Sequence, residues 1–185
     1  MKNIGVAPHF GTLIVITVLC GLIYATVQQT YRSSADDPQI QIALDIKNAI
    51  ENNRSLAKWM TGDSVELSQS LSVFKTLYST SGKAIQSSGL LNGHLPQLPH
   101  GVFDFTNKHQ EDRLTWQPQY GVRMATVVEA VNSPQIGFVA VGRSLREIEK
   151  RESNLTTMVV VAWLICVGTI ILHFLLIIFT LKKSN

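Results

Sequence analysis

Arg113-Leu-Thr-Trp-Gln-Pro-Gln-Tyr-Gly-Val-Arg-Met-Ala-Thr-Val-Val-Glu-Ala-Val131 carries the clearest strand signal in the chain. Arg113–Gln117 alternates, with Leu114 and Trp116 on one face, and Pro118-Gln-Tyr-Gly121 has the composition of a turn. Val122–Val131 follows as the longest strand. Asn132-Ser-Pro134 reverses the chain into Ile136–Gly142, a further strand. Three successive strands joined by short turns predict antiparallel pairing.

Upstream, Val73–Ser79 and Ala84–Ser88 flank the turn Thr80-Ser-Gly-Lys83 and read as a hairpin. A loop rich in Gly, Pro and Leu covers Leu90–Pro99, and Pro99 opens a short helix carrying Val102, Phe103 and Phe105. Asp36-Asp-Pro38 marks a helix start, and Ile42, Ile46, Ala49, Ile50, Ala57 and Met60 continue at helical spacing, widened by Ile40 and Leu44. This periodicity predicts one long helix to about Met60, packed on a sheet or on a second copy, and ended by Thr61-Gly-Asp-Ser64. Arg143–Glu152 is charged, free of Gly and Pro, and reads as a closing helix. The expected fold class is α+β: two transmembrane helices flank a domain with a five-stranded, mainly antiparallel sheet and a long N-terminal helix.

Two apolar runs frame this domain. Phe10–Val27 gives about 27 Å of helix at 1.5 Å per residue, enough to cross a hydrocarbon core, and Leu155–Leu181 is longer. Ala25-Thr-Val-Gln-Gln29 offers no convincing cleavage site, so the first run reads as an uncleaved signal anchor. The expected order is residues 1–9 cytoplasmic, 10–27 first span, 28–154 extracytoplasmic domain, 155–181 second span and 182–185 cytoplasmic. His173 is the one ionisable group in the second run and reads as bonding a neighbouring helix.

Charge supports this order. All 13 Asp/Glu lie between Gln28 and Asn154 and are balanced there by Lys and Arg, so the net +3 resides in Lys2, Lys182 and Lys183. Basic termini without acids point to the cytoplasmic side, while long translocated domains escape the same rule. A formally neutral domain gives no footprint for nucleic acid. Cys20 and Cys166 fall in the apolar runs and read as small hydrophobes, leaving the domain without a disulfide.

The hairpin Leu77-Tyr-Ser-Thr-Ser-Gly-Lys-Ala-Ile-Gln-Ser-Ser88, the block Glu111–Pro118 with Gly121-Val-Arg123, and Gly137-Phe-Val-Ala-Val-Gly-Arg-Ser-Leu145 resemble extracytoplasmic PAS-like (Cache-type) sensor domains of bacterial receptors and histidine kinases. The likeness covers Ser72 to Glu152. It implies a ligand pocket on one sheet face, closed by the short helix and its loops. It also implies a homodimer formed through the N-terminal helix, and signalling along the last helix. Four residues follow the second span, so the output is expected in a separate membrane-embedded partner such as a histidine kinase.

Candidate ligand-binding residues are Arg123, Trp116, Tyr120 and Arg113. A strand arginine between aromatic walls suits a small carboxylate or an amino acid. The plainer alternative pairs Arg123 with Glu129 or Asp112, and for Arg113 an ion pair is plainer still. His94, His100 and His109 with Asp104, Glu111 and Asp112 are the one metal-like grouping, but the intervals are loose and no metal or other cofactor is expected. Gly-x-Ser-x-Gly and phosphate-loop spacings are lacking, and the chain reads as non-enzymatic. Two functions remain: a sensor signalling through its spans, or a non-sensing accessory subunit that holds a protein partner in a membrane complex.

Overall fold

A computed structural model of the chain describes residues 6–34, 37–61 and 64–183. The chain forms two compact units, Arg32–Glu149 and the terminal segments Met1–Tyr31 with Lys150–Asn185.

In the first unit, helix α2 (Asp37–Glu51) lies on one face of an antiparallel sheet. Its Ala43, Ile46 and Ile50 are buried against Leu77, Val127, Val139 and Val141, so the sheet covers this apolar stripe. Burying a side chain such as Ile46 contributes about 1.5–3 kcal/mol.

The helix is shorter than its periodicity predicts. At Asn53 the backbone turns left-handed (φ 52°), the Arg54 N–H donates to the Ala49 carbonyl at 2.7 Å, and the Asn53 N–H donates to Ile50 at 3.0 Å. That is a Schellman ending with Asn in the usual glycine place. Ala57 and Met60 belong to a separate turn, α3 (Ala57–Met60). The long helix of the chain is instead its last, α5 (Arg146–Lys183), of 38 residues. Asp36, Gly62 and Asp63, part of the predicted start and stop signals, lie outside the described residues.

A two-stranded parallel pair joins β1 (Val65–Glu66) to β4 (Gly89–Leu90). The main sheet holds β2 (Phe74–Tyr78), β3 (Ala84–Ser87), β5 (Glu111–Gln119), β6 (Val122–Ala130) and β7 (Phe138–Ser144), in the order β3-β2-β7-β6-β5. Every neighbouring pair is antiparallel. β7, last in sequence, is the central strand, and β6 lies one place from the edge. β5 runs longer than predicted, through a bulge between Trp116 and Gln119 where Pro118 has no N–H to pair.

Helix α4 (His100–His109) follows Pro99 and ends at Gln110, which is left-handed at φ 71° and donates to the Thr106 carbonyl. It covers the other sheet face. There Phe103 packs on Tyr78 and Phe138 (ring centroids 5.0 and 4.9 Å), among Leu67, Phe74, Leu98, Trp116 and Met124. The Tyr78 hydroxyl donates to the Pro96 carbonyl at 2.8 Å, and burial raises its pKa far above the ordinary phenol range.

β7 begins under an exacting constraint. A Cβ added at Gly137 would lie 2.5 Å from Thr80 Cα and 2.9 Å from Thr80 N, and backbone cannot rotate away. Gly137→Ala is therefore expected to cost the domain about 2–3 kcal/mol, as overpacking does. Denaturant unfolding of the full chain measures it, and a loss below about 0.5 kcal/mol would mean that the Thr80 turn yields freely.

The terminal unit contains α1 (Val6–Ser33) and the apolar part of α5. His9–Tyr31 and Arg146–Thr180 are long and apolar enough to cross a membrane. Their contacts run antiparallel: the His9 ring meets His173 and Phe174, Trp163 Nε1 donates to the Thr17 hydroxyl, and Gln28 donates to Glu152. His173 thus packs on another histidine, at 5.7 Å between centroids, which the reading of the second run alone does not anticipate.

Candidate functional site

The four residues proposed to hold a carboxylate are not gathered into one pocket. Trp116 lies opposite Met124 in the β5–β6 ladder and is buried on the α4 side. Alternation places Arg123 on the other face, with Ala125 and Val127. Tyr120 stands at the hairpin tip and is 99% exposed, so it walls nothing. Arg113 faces Val127 across the ladder and pairs with Glu111.

Arg123 has a definite task nonetheless. Its Nη1 pairs with Glu149 in the first turns of α5, not with Glu129 or Asp112 as the alternative reading held. The Leu145 N–H also donates to the Arg123 carbonyl at 2.9 Å, so side chain and backbone of one β6 residue both hold the start of α5. From the other side Arg146 donates to the Ser68 and Gln69 carbonyls in the segment after β1.

Glu129 belongs to a different group. It is buried at the α2 face, where Lys47 Nζ meets its Oε2 at 3.0 Å. Glu111 stands opposite it in the ladder. Burial raises the Glu129 pKa above the ordinary carboxylate value, and Lys47 opposes that rise. A buried charge held by one lysine reads as an internal ion pair between helix and sheet.

The histidine grouping is dispersed. His109 stacks on Phe105 at 4.0 Å and its Nδ1–H donates to the Phe105 carbonyl, while His100 packs edge-on to Phe103. Among the described residues, no three His, Cys, Asp or Glu side chains converge to hold a metal.

At the sheet end where β6 stops and β7 starts lies an open cleft of about 400 Å3. Glu51, Thr80, Asn107, Gln110 and Asn132 form its polar wall, and Ala130 and Val131 its apolar part. One Glu51 oxygen accepts the Asn132 N–H at 3.1 Å, tying the end of α2 to the β6–β7 turn.

No model of a known protein family matches this sequence, and no curated protein matches it. The functional reading therefore rests on geometry. Sequence patterns missed Lys47 and the cleft residues because their partners come from segments distant in the chain. Only alternation along β6 hinted at Glu129, as a charge on a strand face shared with Val127.

Proposed function

We propose that this chain is a two-pass sensor of a bacterial cytoplasmic membrane, with a PAS-like extracytoplasmic domain and both termini in the cytoplasm. It signals through α5 to a separate membrane-embedded partner such as a histidine kinase. What carries the reading is the hold on the start of α5. Arg123 grips it from β6 and Arg146 ties it to the segment after β1, and the same helix continues to Lys183. A shift of β6 relative to that segment would change the strain at the head of the helix. The antiparallel sheet between α2 and α4 and the two spanning helices support the same reading.

The accessory-subunit alternative has its own support. The sheet face that the resemblance assigns to a ligand is filled by Phe103, Tyr78, Phe138 and their neighbours.

Arg123→Ala separates the two. Arg123 and Glu149 are about half-exposed, so their pair contributes under about 1 kcal/mol to stability and the variant should accumulate normally. A sensor predicts that deleting the chain changes the expression of a defined gene set and that Arg123→Ala changes the same set. If deletion instead depletes a membrane complex and Arg123→Ala behaves as wild type, the accessory reading replaces it. Topology is checked separately: impermeant reagents should label exposed Lys83 and Lys108 on intact cells.

A further inference from the structure

We infer that the cleft at the β6–β7 end of the sheet is a binding site for a small protonated amine. Two helices end there, α2 at Glu51 and α4 at Gln110. Helix C-termini carry the negative end of the helix dipole, which favours cations. Glu51 adds a full negative charge, with one oxygen engaged by the Asn132 N–H and the other open to a ligand. No lysine, arginine or histidine lines the cleft among the described residues. The nearest basic side chains in sequence, Lys108 and His109, are outside the lining, and the His109 ring is turned back on Phe105.

The remaining wall is suited to a polar body. Thr80, Asn107, Gln110 and Asn132 make no side-chain hydrogen bond among the described residues and offer amide and hydroxyl partners. Ala130 and Val131 supply the small apolar part of the lining, enough for a short carbon chain. A volume of about 400 Å3 lies within the range of small-molecule sites. A carboxylate would meet Glu51 and both helix ends as like charges. Arg123, the cation once assigned to it, is committed to Glu149 instead.

The site stands without the sensor reading, but its role as the sensed input rests on it. The test uses the full chain in nanodiscs of zwitterionic lipid, titrated calorimetrically with 2-aminoethanol and 1,4-diaminobutane, and with acetate and succinate at equal ionic strength. At least one amine should saturate and neither acid should. Glu51→Gln should weaken the amine by about tenfold or more, as loss of a charge partner does. Asn107→Asp places a second carboxylate on the wall and should tighten amine binding, a gain that misfolding cannot mimic. The proposal fails if neither amine saturates, if the acids bind equally, or if both variants bind as wild type does. Binding that responds to both variants, while amine given to wild-type cells leaves unmoved the genes that deletion of the chain changes, upholds the site and removes its role as the sensed input.

Discussion

Phe103→Ala is expected to destabilise the domain by about 3–5 kcal/mol, the usual cost of emptying a buried aromatic position. The ring is only 4% exposed and touches Tyr78 and Phe138. It also lies against Gly82, where an added Cβ would come within 2.6 Å of it, and Gly82 is left-handed at φ 77°. The rings of Tyr78 and Phe138 beside it are carried on sheet strands, which limits how far they can close on the vacated space. Phe103→Leu, which keeps most of the volume, should lose much less. Denaturant unfolding of the full chain reads both. A second readout bears on function: an apolar hole of this kind stays dry and takes small aromatic molecules. Indole should raise the melting temperature of Phe103→Ala and leave wild type unchanged. If wild type responds equally, the face under α4 already has room for a ligand, and the aromatic packing is looser than its contacts imply.

Lys47→Met is expected to cost about 3 kcal/mol at neutral pH, because it strands a buried carboxylate. Glu129 is the group left behind, with its side chain 4% exposed. The sign of the pH dependence follows from the direction of its shift. A carboxyl whose folded pKa is raised holds its proton more tightly in the folded state, so its contribution to stability falls as pH rises from its ordinary range through the raised value. Removing Lys47 takes away the larger of the two influences that oppose the rise, the other being the charge of Arg113. The penalty in Lys47→Met should therefore be full at neutral pH and shrink as pH is lowered and Glu129 takes up a proton. Lys47→Met combined with Glu129→Leu should recover most of the loss, since an apolar pair of similar size carries no desolvation cost. A penalty independent of pH would show instead that Lys47 acts through its carbon chain, packed on the sheet.

Much of the architecture was readable from local pattern. Alternation in Arg113–Gln117 and Val122–Val131, and the turn residues between them, foretold the β5–β6 hairpin, and Thr80–Lys83 foretold β2–β3. These are contacts between neighbours in sequence, and a turn's chemistry is local. The end of α2 was also legible in principle. Apolar spacing continued past Glu51 to Met60 and outweighed Asn52-Asn53, yet Asn tolerates the left-handed conformation and a single such residue ends a helix.

What periodicity, turn chemistry and hydropathy decided alone was the α+β class, most element boundaries and the two helices long and apolar enough to span a membrane. Each of these depends on residues a few positions apart. The partnership of β2 with β7, which makes the last strand central, was decided by packing between segments some 60 residues apart in the chain. So were the filling of the α4 face, the Lys47–Glu129 pair and the cleft at Glu51. Arg123 shows the difference most plainly: its place on a strand face followed from alternation, but its partner, Glu149, became a neighbour only when the sheet brought the start of α5 back beside β6.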